Sequence, residues 1–128
     1  MAFVLDTNIA ILLRDRHAEV RRRVGELQPP IYLSIMTRIE LEGGLVAPGE
    51  LATTRLARVG AILAAFSTLP FDEAAADAYR QILAVTGFSR RRIIDRMIAA
   101  QCLVHGATLI TQNPADFRDV PGLMFEAW

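Results

Sequence analysis

Four acids stand where a chain that is building a core has little reason to place them. Asp6 interrupts the apolar opening MAFVLDTNIAILL, Glu40 lies in SIMTRIELEGG, Asp95 in RRIIDRMIAA, and Asp116 in TLITQNPADF. Asp6 follows directly on the run Phe3-Val4-Leu5. If that run is a strand of a parallel sheet, the carboxylate sits at the carboxyl edge, where such sheets collect their ligands. Its ordinary reading is an N-cap for the helix beginning near Ile9, a task that Thr7 or Asn8 performs equally well. Glu40 and Glu42 project about 200° apart on one helix, so only one of them can face a pocket. Thr37, Gly43 and Gly44 fall on the Glu40 side and leave room there. Asp95 shares a helix face with Ile98, Ala99 and Cys102, where an unpartnered carboxylate is costly, so a positive group should lie against it. The ordinary alternatives are a helix-start acid or an ion pair with a neighbouring arginine. Asp116 follows the run Thr108 to Thr111, a second acid at a strand's end, although an Asx turn around Asn113-Pro114 explains Asn113 or Asp116 equally well. Asp119, beside Pro121-Gly122, reads as plain turn chemistry.

Brought to one place, these carboxylates would repel one another at neutral pH. With no histidine or cysteine among them, the usual resolution is a hard cation such as Mg²⁺ or Mn²⁺, held by carboxylates and completed by water. Magnesium sites of that kind mostly serve phosphate chemistry.

The composition narrows the alternatives. A chain of 128 residues, 52% hydrophobic, is sized for one domain over 1–128 with a real core. No apolar stretch approaches the roughly 18 residues of a spanning helix, and the first residues lack a basic n-region and a cleavage site, so a soluble, cytoplasmic protein is expected. The single Cys102 suits a reducing compartment and its apolar neighbours place it in the core. With 14 basic and 14 acidic residues there is no net basic field. Every basic residue in those 14 is arginine, which excludes any mechanism with an essential lysine. Arg21-Arg22-Arg23 reads as a solvated helix face. Arg90-Arg91-Arg92 and Arg96, beside Asp95, are candidates for phosphate contact, since guanidinium forks match phosphate oxygens.

The elements that must position these residues alternate. Phe3–Leu5, Ile31–Ser34, Thr68–Phe71 and Thr108–Thr111 read as short strands, with Leu123–Phe125 as an edge strand. Between them lie helices over Ile9–Leu27, broken near Asp15, from Ile35 to Gly43-Gly44, over Glu50–Phe66, over Ala74–Thr86 capped by Asp72 or Glu73 and closed by Gly87, and over Arg91–His105 closed by Gly106. Such alternation predicts an α/β domain with a mostly parallel sheet and helices on both faces.

LDTN at 5–8, SIMTRIELEGG at 34–44, IIDRMIAA at 93–100 and TLITQNPADF at 108–117 together resemble the PIN-domain ribonucleases, specifically the VapC-type toxins. The likeness runs over nearly the whole chain. It implies a PIN-like α/β/α sandwich with an acidic Mg²⁺ site, for which Mn²⁺ is a possible substitute. It also implies endonucleolytic hydrolysis of RNA and neutralisation by a cognate VapB-like antitoxin. By position, Asp6 and Asp95 match the main metal ligands, and Glu40 and Asp116 complete the site directly or through water. Thr7 and Asn113 match supporting roles. An amide at 113, where many relatives carry an acid, weakens the case for a second tightly held ion. The family's chemistry would leave a 5′-phosphate and a 3′-hydroxyl. A homodimer is expected by analogy and from the apolar segments Leu45-Val46 and Leu56–Phe71.

Two rivals remain to be weighed. Phosphoaspartyl enzymes also set an aspartate beside Mg²⁺, but they call for a lysine, and the dehalogenase-like pattern wants a second acid where Asn8 stands. Serine and cysteine hydrolases lack their motif here. A non-catalytic binding module whose acids recognise arginine-rich partners would use the same residues, and only metal-dependent cleavage separates it from a nuclease.

Overall fold

The computed structural model describes every residue except 47, 48 and 50. Its centre is a sheet of five strands, β1 (Ala2–Leu5), β2 (Ile31–Ser34), β3 (Ser67–Leu69), β4 (Ala107–Thr111) and β5 (Phe125–Ala127), all parallel and ordered β3-β2-β1-β4-β5. Parallel neighbours require crossovers, supplied by α1 (Thr7–Arg14), α2 (Ala18–Glu26), α3 (Ile35–Gly44), α4 (Ala52–Ala65), α5 (Glu73–Thr86) and α6 (Ile93–His105).

The pleat divides the core in two. Val4 and Leu109 point to one face, where they meet Ile82 of α5 and Ile98, Ala99 and Cys102 of α6. Leu5, Leu33 and Ile110 point to the other, against Ile9 of α1, Val20 and Val24 of α2, Leu41 of α3, and Val59 and Ile62 of α4. The result is the three-layered α/β/α sandwich expected from the alternation. Because both faces are covered, β4 is buried along its whole length. Among the described residues no helix is long and apolar enough to cross a membrane.

Local chemistry sets the helix ends. Ser34 Oγ accepts from Met36 N at 3.0 Å, and Asp72 Oδ1 accepts from Ala75 N at 2.9 Å. Gly106 closes α6 in the left-handed region, φ 59°. The break expected near Asp15 is a turn through Arg16, whose φ is 60°. The helix expected from Glu50 starts at Ala52 in the described residues, Glu50 itself lying outside them. Three expectations shift. The third strand covers Ser67–Leu69 and leaves Pro70 and Phe71 outside the pairing. The edge strand forms at Phe125–Ala127 rather than at Leu123, which packs half-buried against the core before pairing begins. Arg90–Arg92 form a separate 3₁₀ turn ahead of α6.

The order of strands matters for function. From β1 the chain winds outward through β2 to β3, then returns to place β4 on the other side of β1. The switch point therefore lies between the carboxyl ends of β1 and β4, where a crevice opens in doubly wound sheets.

Candidate metal centre

Asp6 is the residue immediately after β1, and Thr111 is the last of β4. The register Leu5↔Ile110 brings them side by side across the switch point, and Asp6 N donates to Ile110 O at 2.9 Å. Both carboxylate oxygens of Asp6 are occupied. Oδ1 accepts from Thr7 N, and Oδ2 accepts from the Thr111 hydroxyl, each at 2.8 Å. Asp6 thus caps α1 itself, where Thr7 or Asn8 was expected to do so. Capping and a place in the cleft prove compatible, because one oxygen faces the helix start and the other faces β4.

Thr7 instead holds Glu40. Its hydroxyl donates to Glu40 Oε1 at 2.9 Å and lies 2.9 Å from Thr37 Oγ1. A hydroxyl has one proton, so Thr37 is the donor in that second bond and a relay runs Thr37 to Thr7 to Glu40. Thr37 is fully buried, as expected of the side of α3 that faces inward, while Glu42 turns outward to Arg38 at 3.6 Å. Gly43 and Gly44 do not line the cleft: Gly44 lies against Arg14 and accepts a hydrogen bond from Arg55 at 3.3 Å.

Asp95, in the first turn of α6, and Asp116, in the 3₁₀ turn Pro114–Asp116 after β4, complete the group. All four acids line one cleft of about 300 Å³, together with Thr7, Asn8, Asn113, Arg91 and Ile94. A larger groove of about 410 Å³ near Arg16, Arg58 and Thr54 carries no carboxylate, so size alone does not locate the chemistry.

The electrostatics follow from crowding. Burial, and then the charges of Asp6, Asp116 and Glu40, push Asp95 from the ordinary 3.8 to about 6, opposed by Arg92. Asp6 is raised by burial and by Glu40 and Asp116, and lowered by its hydrogen bonds from Thr111 and Thr7. Of the positive partners expected against Asp95, Arg92 opposes its raised pKa, but that guanidinium is also ion-paired at 3.7 Å to Asp116 and 3.8 Å to Asp119, and Arg96 is bound to Asp119. The cleft keeps an excess of negative charge.

That donor set fits a hard divalent cation: oxygen ligands alone, mutually repelling, with hydroxyl and amide groups holding them from behind. Among the described residues no three acidic, histidine or cysteine side chains are gathered tightly enough to form a ready-made cage. Mg²⁺ does not require one, since it is commonly held through one or two carboxylates and keeps several waters.

The expected arginines divide. Arg91 is exposed and lines the cleft, Arg90 is exposed beside it, and Arg92 is engaged with Asp116 and Asp119. Arg96 must be corrected. It is 4% exposed, and Nη1 and Nη2 donate to the two oxygens of Asp119 at 2.7 Å each, so it has no guanidinium to offer a phosphate. One residue along a helix is a turn of about 100°, which carries Arg96 away from the face of Asp95. Asp119 is correspondingly more than turn chemistry. In the other run, Arg22 pairs with Glu19 and Glu26 on an exposed face as expected, and Arg23 stacks over Trp128 at 4.5 Å.

Thr37 falls on the Glu40 side as expected, but its bond to Thr7, the bond from Thr111 to Asp6 and the pairing of Asp119 with Arg96 were not foreseen. A threonine ending a buried strand, next to a strand that ends in an acid, was the available signal for Thr111. Cys102 is buried, its thiol pushed up to about 12, which removes it as a nucleophile.

The PIN-domain family profile matches residues 3–123. The chain belongs to the PIN-domain family. The tRNA(fMet)-specific endonuclease VapC of Shigella flexneri is 31% identical over 131 residues, covering 100% of this PIN domain and 98% of the relative. The DNA-bound VapBC structure from Salmonella typhimurium superposes with a TM-score of 0.85 at 28% identity, covering 100% of this chain and 98% of that one. VapBC2 from Rickettsia felis, bound to a DNA fragment from its promoter, shares the fold with a TM-score of 0.87 at 22% identity, covering 100% and 99%.

Proposed function

We propose that this PIN domain is a Mg²⁺-dependent endoribonuclease, the toxin of a VapBC-type toxin–antitoxin pair, with residues 1–128 acting as one unit. The observation that carries the reading is the convergence of Asp6, Glu40, Asp95 and Asp116 on one cleft at the switch point, with their mutual repulsion left largely uncompensated. Its family membership and the full-length likeness to an endonuclease support it.

Asp6, Asp95 and Asp116 would hold the cation. Mg²⁺, when bound, aligns the scissile phosphate, acidifies the attacking water and offsets charge that develops in the transition state. Thr111 fixes Asp6, and Thr7 fixes one oxygen of Glu40, whose other oxygen has no hydrogen bond among the described residues and is left to orient a water in the cleft that Glu40 lines. Asn113, whose backbone N donates to Thr111 Oγ1 at 3.0 Å, places its amide at the rim. Arg91, with Arg90 beside it, is positioned to bind phosphates flanking the scissile one. Mn²⁺ is expected to substitute.

A VapB-like antitoxin is the proposed protein partner, in keeping with the VapBC assemblies among the structural neighbours. The exposed apolar side chains Ile39, Leu51, Leu56, Val85 and Phe88 support pairing with a second copy of the chain, and the cytoplasm is the proposed location.

Cleavage assays on total RNA and on tRNA(fMet), with and without Mg²⁺, and sequencing of the resulting ends test the reading. Expected are Mg²⁺-dependent internal cuts bearing 5′-phosphates. No cleavage of any RNA by the folded, metal-loaded protein would favour the alternative, an acidic module that binds arginine-rich partners.

A further inference from the structure

The loop that delivers Asp116 is held at three points. At its start, Asn113 N donates to the Thr111 hydroxyl. In its middle, Phe117 is fully buried in the core against α6. At its end, Asp119 takes the bidentate ion pair from Arg96. The Asp116 carboxylate has no hydrogen bond of its own among the described residues, and its nearest cation is Arg92 at 3.7 Å. Its position is therefore inherited from its neighbours in the chain.

Arg96 follows Asp95 on α6, and Asp119 lies three residues beyond Asp116. Two parallel 2.7 Å bonds between a guanidinium and a carboxylate fix orientation as well as distance, and the nearly complete burial of Arg96 leaves its side chain no freedom to follow a moving loop. We propose that the Arg96–Asp119 ion pair is a strut that sets the separation of Asp95 and Asp116, and thereby the affinity of the acidic cleft for its divalent cation. Both are positioning residues, since neither lines the cleft. The proposal rests on the reading of that cleft as a metal site.

Arg92 reaches both ends of this arrangement, 3.8 Å from Asp119 and 3.7 Å from Asp116. It is a looser counter-charge, free to yield Asp116 to a cation while the strut stays in place.

The test is Mn²⁺ binding, measured by electron paramagnetic resonance on the full chain without RNA, alongside Mg²⁺-dependent cleavage. The double variant Arg96→Met/Asp119→Asn removes both charges, so no buried guanidinium is stranded. Arg96→Met alone, which leaves Asp119 at a half-exposed position where water can solvate it, serves if the double variant fails to fold. Loss of outer support should weaken Mn²⁺ binding by about tenfold or more and lower kcat at fixed Mg²⁺, with KM for RNA nearly unchanged. Asp119→Glu, which keeps the charge pair, should recover part of the affinity. Asp116→Asn is the reference: if it leaves Mn²⁺ binding intact, the metal-site reading itself fails. If Asp116→Asn loses Mn²⁺ while the folded strut variants bind it normally, or if their defect lies wholly in KM, the strut is overturned.

Discussion

The Thr111 hydroxyl donates to Asp6 Oδ2 at 2.8 Å across the junction of two parallel strands that lie 105 residues apart in sequence. It is the one side-chain hydrogen bond that opposes the burial of Asp6, whose second oxygen is satisfied by the backbone of Thr7. Thr111→Val keeps the shape and removes the donor. The expected result is a raised Asp6 pKa and about 1–3 kcal/mol less stability at neutral pH, because a buried acceptor is left unmet. Denaturant melts with and without Mg²⁺ check it, and an unchanged midpoint would show that water replaces the hydroxyl.

Asp6→Asn and Asp95→Asn should each reduce cleavage on the order of 10²-fold or more, as expected when a group that organises transition-state charge is lost. Their stabilities should diverge from their activities. Asp95 carries its charge under protest, raised to about 6 by burial and by three acids, so its amide variant should be at least as stable as the parent when no metal is present. Circular dichroism melts in chelator, beside cleavage assays in Mg²⁺, separate the two effects. Full activity in either folded variant would remove that residue from the site.

The sheet and most of its helices were legible because local rules and the final packing agree. Phe3–Leu5, Ile31–Ser34 and Thr108–Thr111 are apolar runs too short for helices, and burial on both faces is what such runs imply. Asp6 and Asp116 were legible as strand-end acids for the same reason. What the sequence did not show is which partner each polar group takes. Arg96 has the same type and neighbourhood as Arg91, and only the course of the loop to Asp119 turns one into a buried strut and leaves the other at the rim. Thr37 and Thr111 act through contacts spanning 30 and 105 residues, which no local spacing encodes.

Acidity should stabilise the metal-free protein over a defined window. Asp95 has a folded pKa of about 6 against an ordinary 3.8, so between those values the folded state holds a proton that the unfolded chain has released. Stability therefore falls as pH rises through that interval and levels off above it. Asp119 works in the opposite sense at lower pH: Arg96 holds it below 3.8, and its contribution, present above that value, is lost as acid protonates it. Thermal melts in chelator should therefore show a higher midpoint at about pH 5 than at about pH 7, and added Mg²⁺ should raise the midpoint more at about pH 7 than at about pH 5. A metal-free midpoint that climbs steadily from pH 5 to 7 would contradict the crowding of Asp6, Glu40, Asp95 and Asp116.

Arg91 and Arg96 should behave in opposite ways when truncated. Arg91 is exposed at the rim of the cleft, so Arg91→Ala should raise KM for RNA several-fold, reduce the salt dependence of binding by about one counterion, and leave folding stability nearly unchanged. Arg96→Ala removes the partner of Asp119 and empties a buried position, so it should lower stability by about 2 kcal/mol without altering the salt dependence of RNA binding in whatever fraction stays folded. Filter binding of RNA across a salt series, paired with urea melts of each variant, distinguishes the two. A salt dependence that drops for Arg96→Ala and not for Arg91→Ala would mean that the buried guanidinium leaves Asp119 to meet the nucleic acid, and that the rim arginine does not touch it.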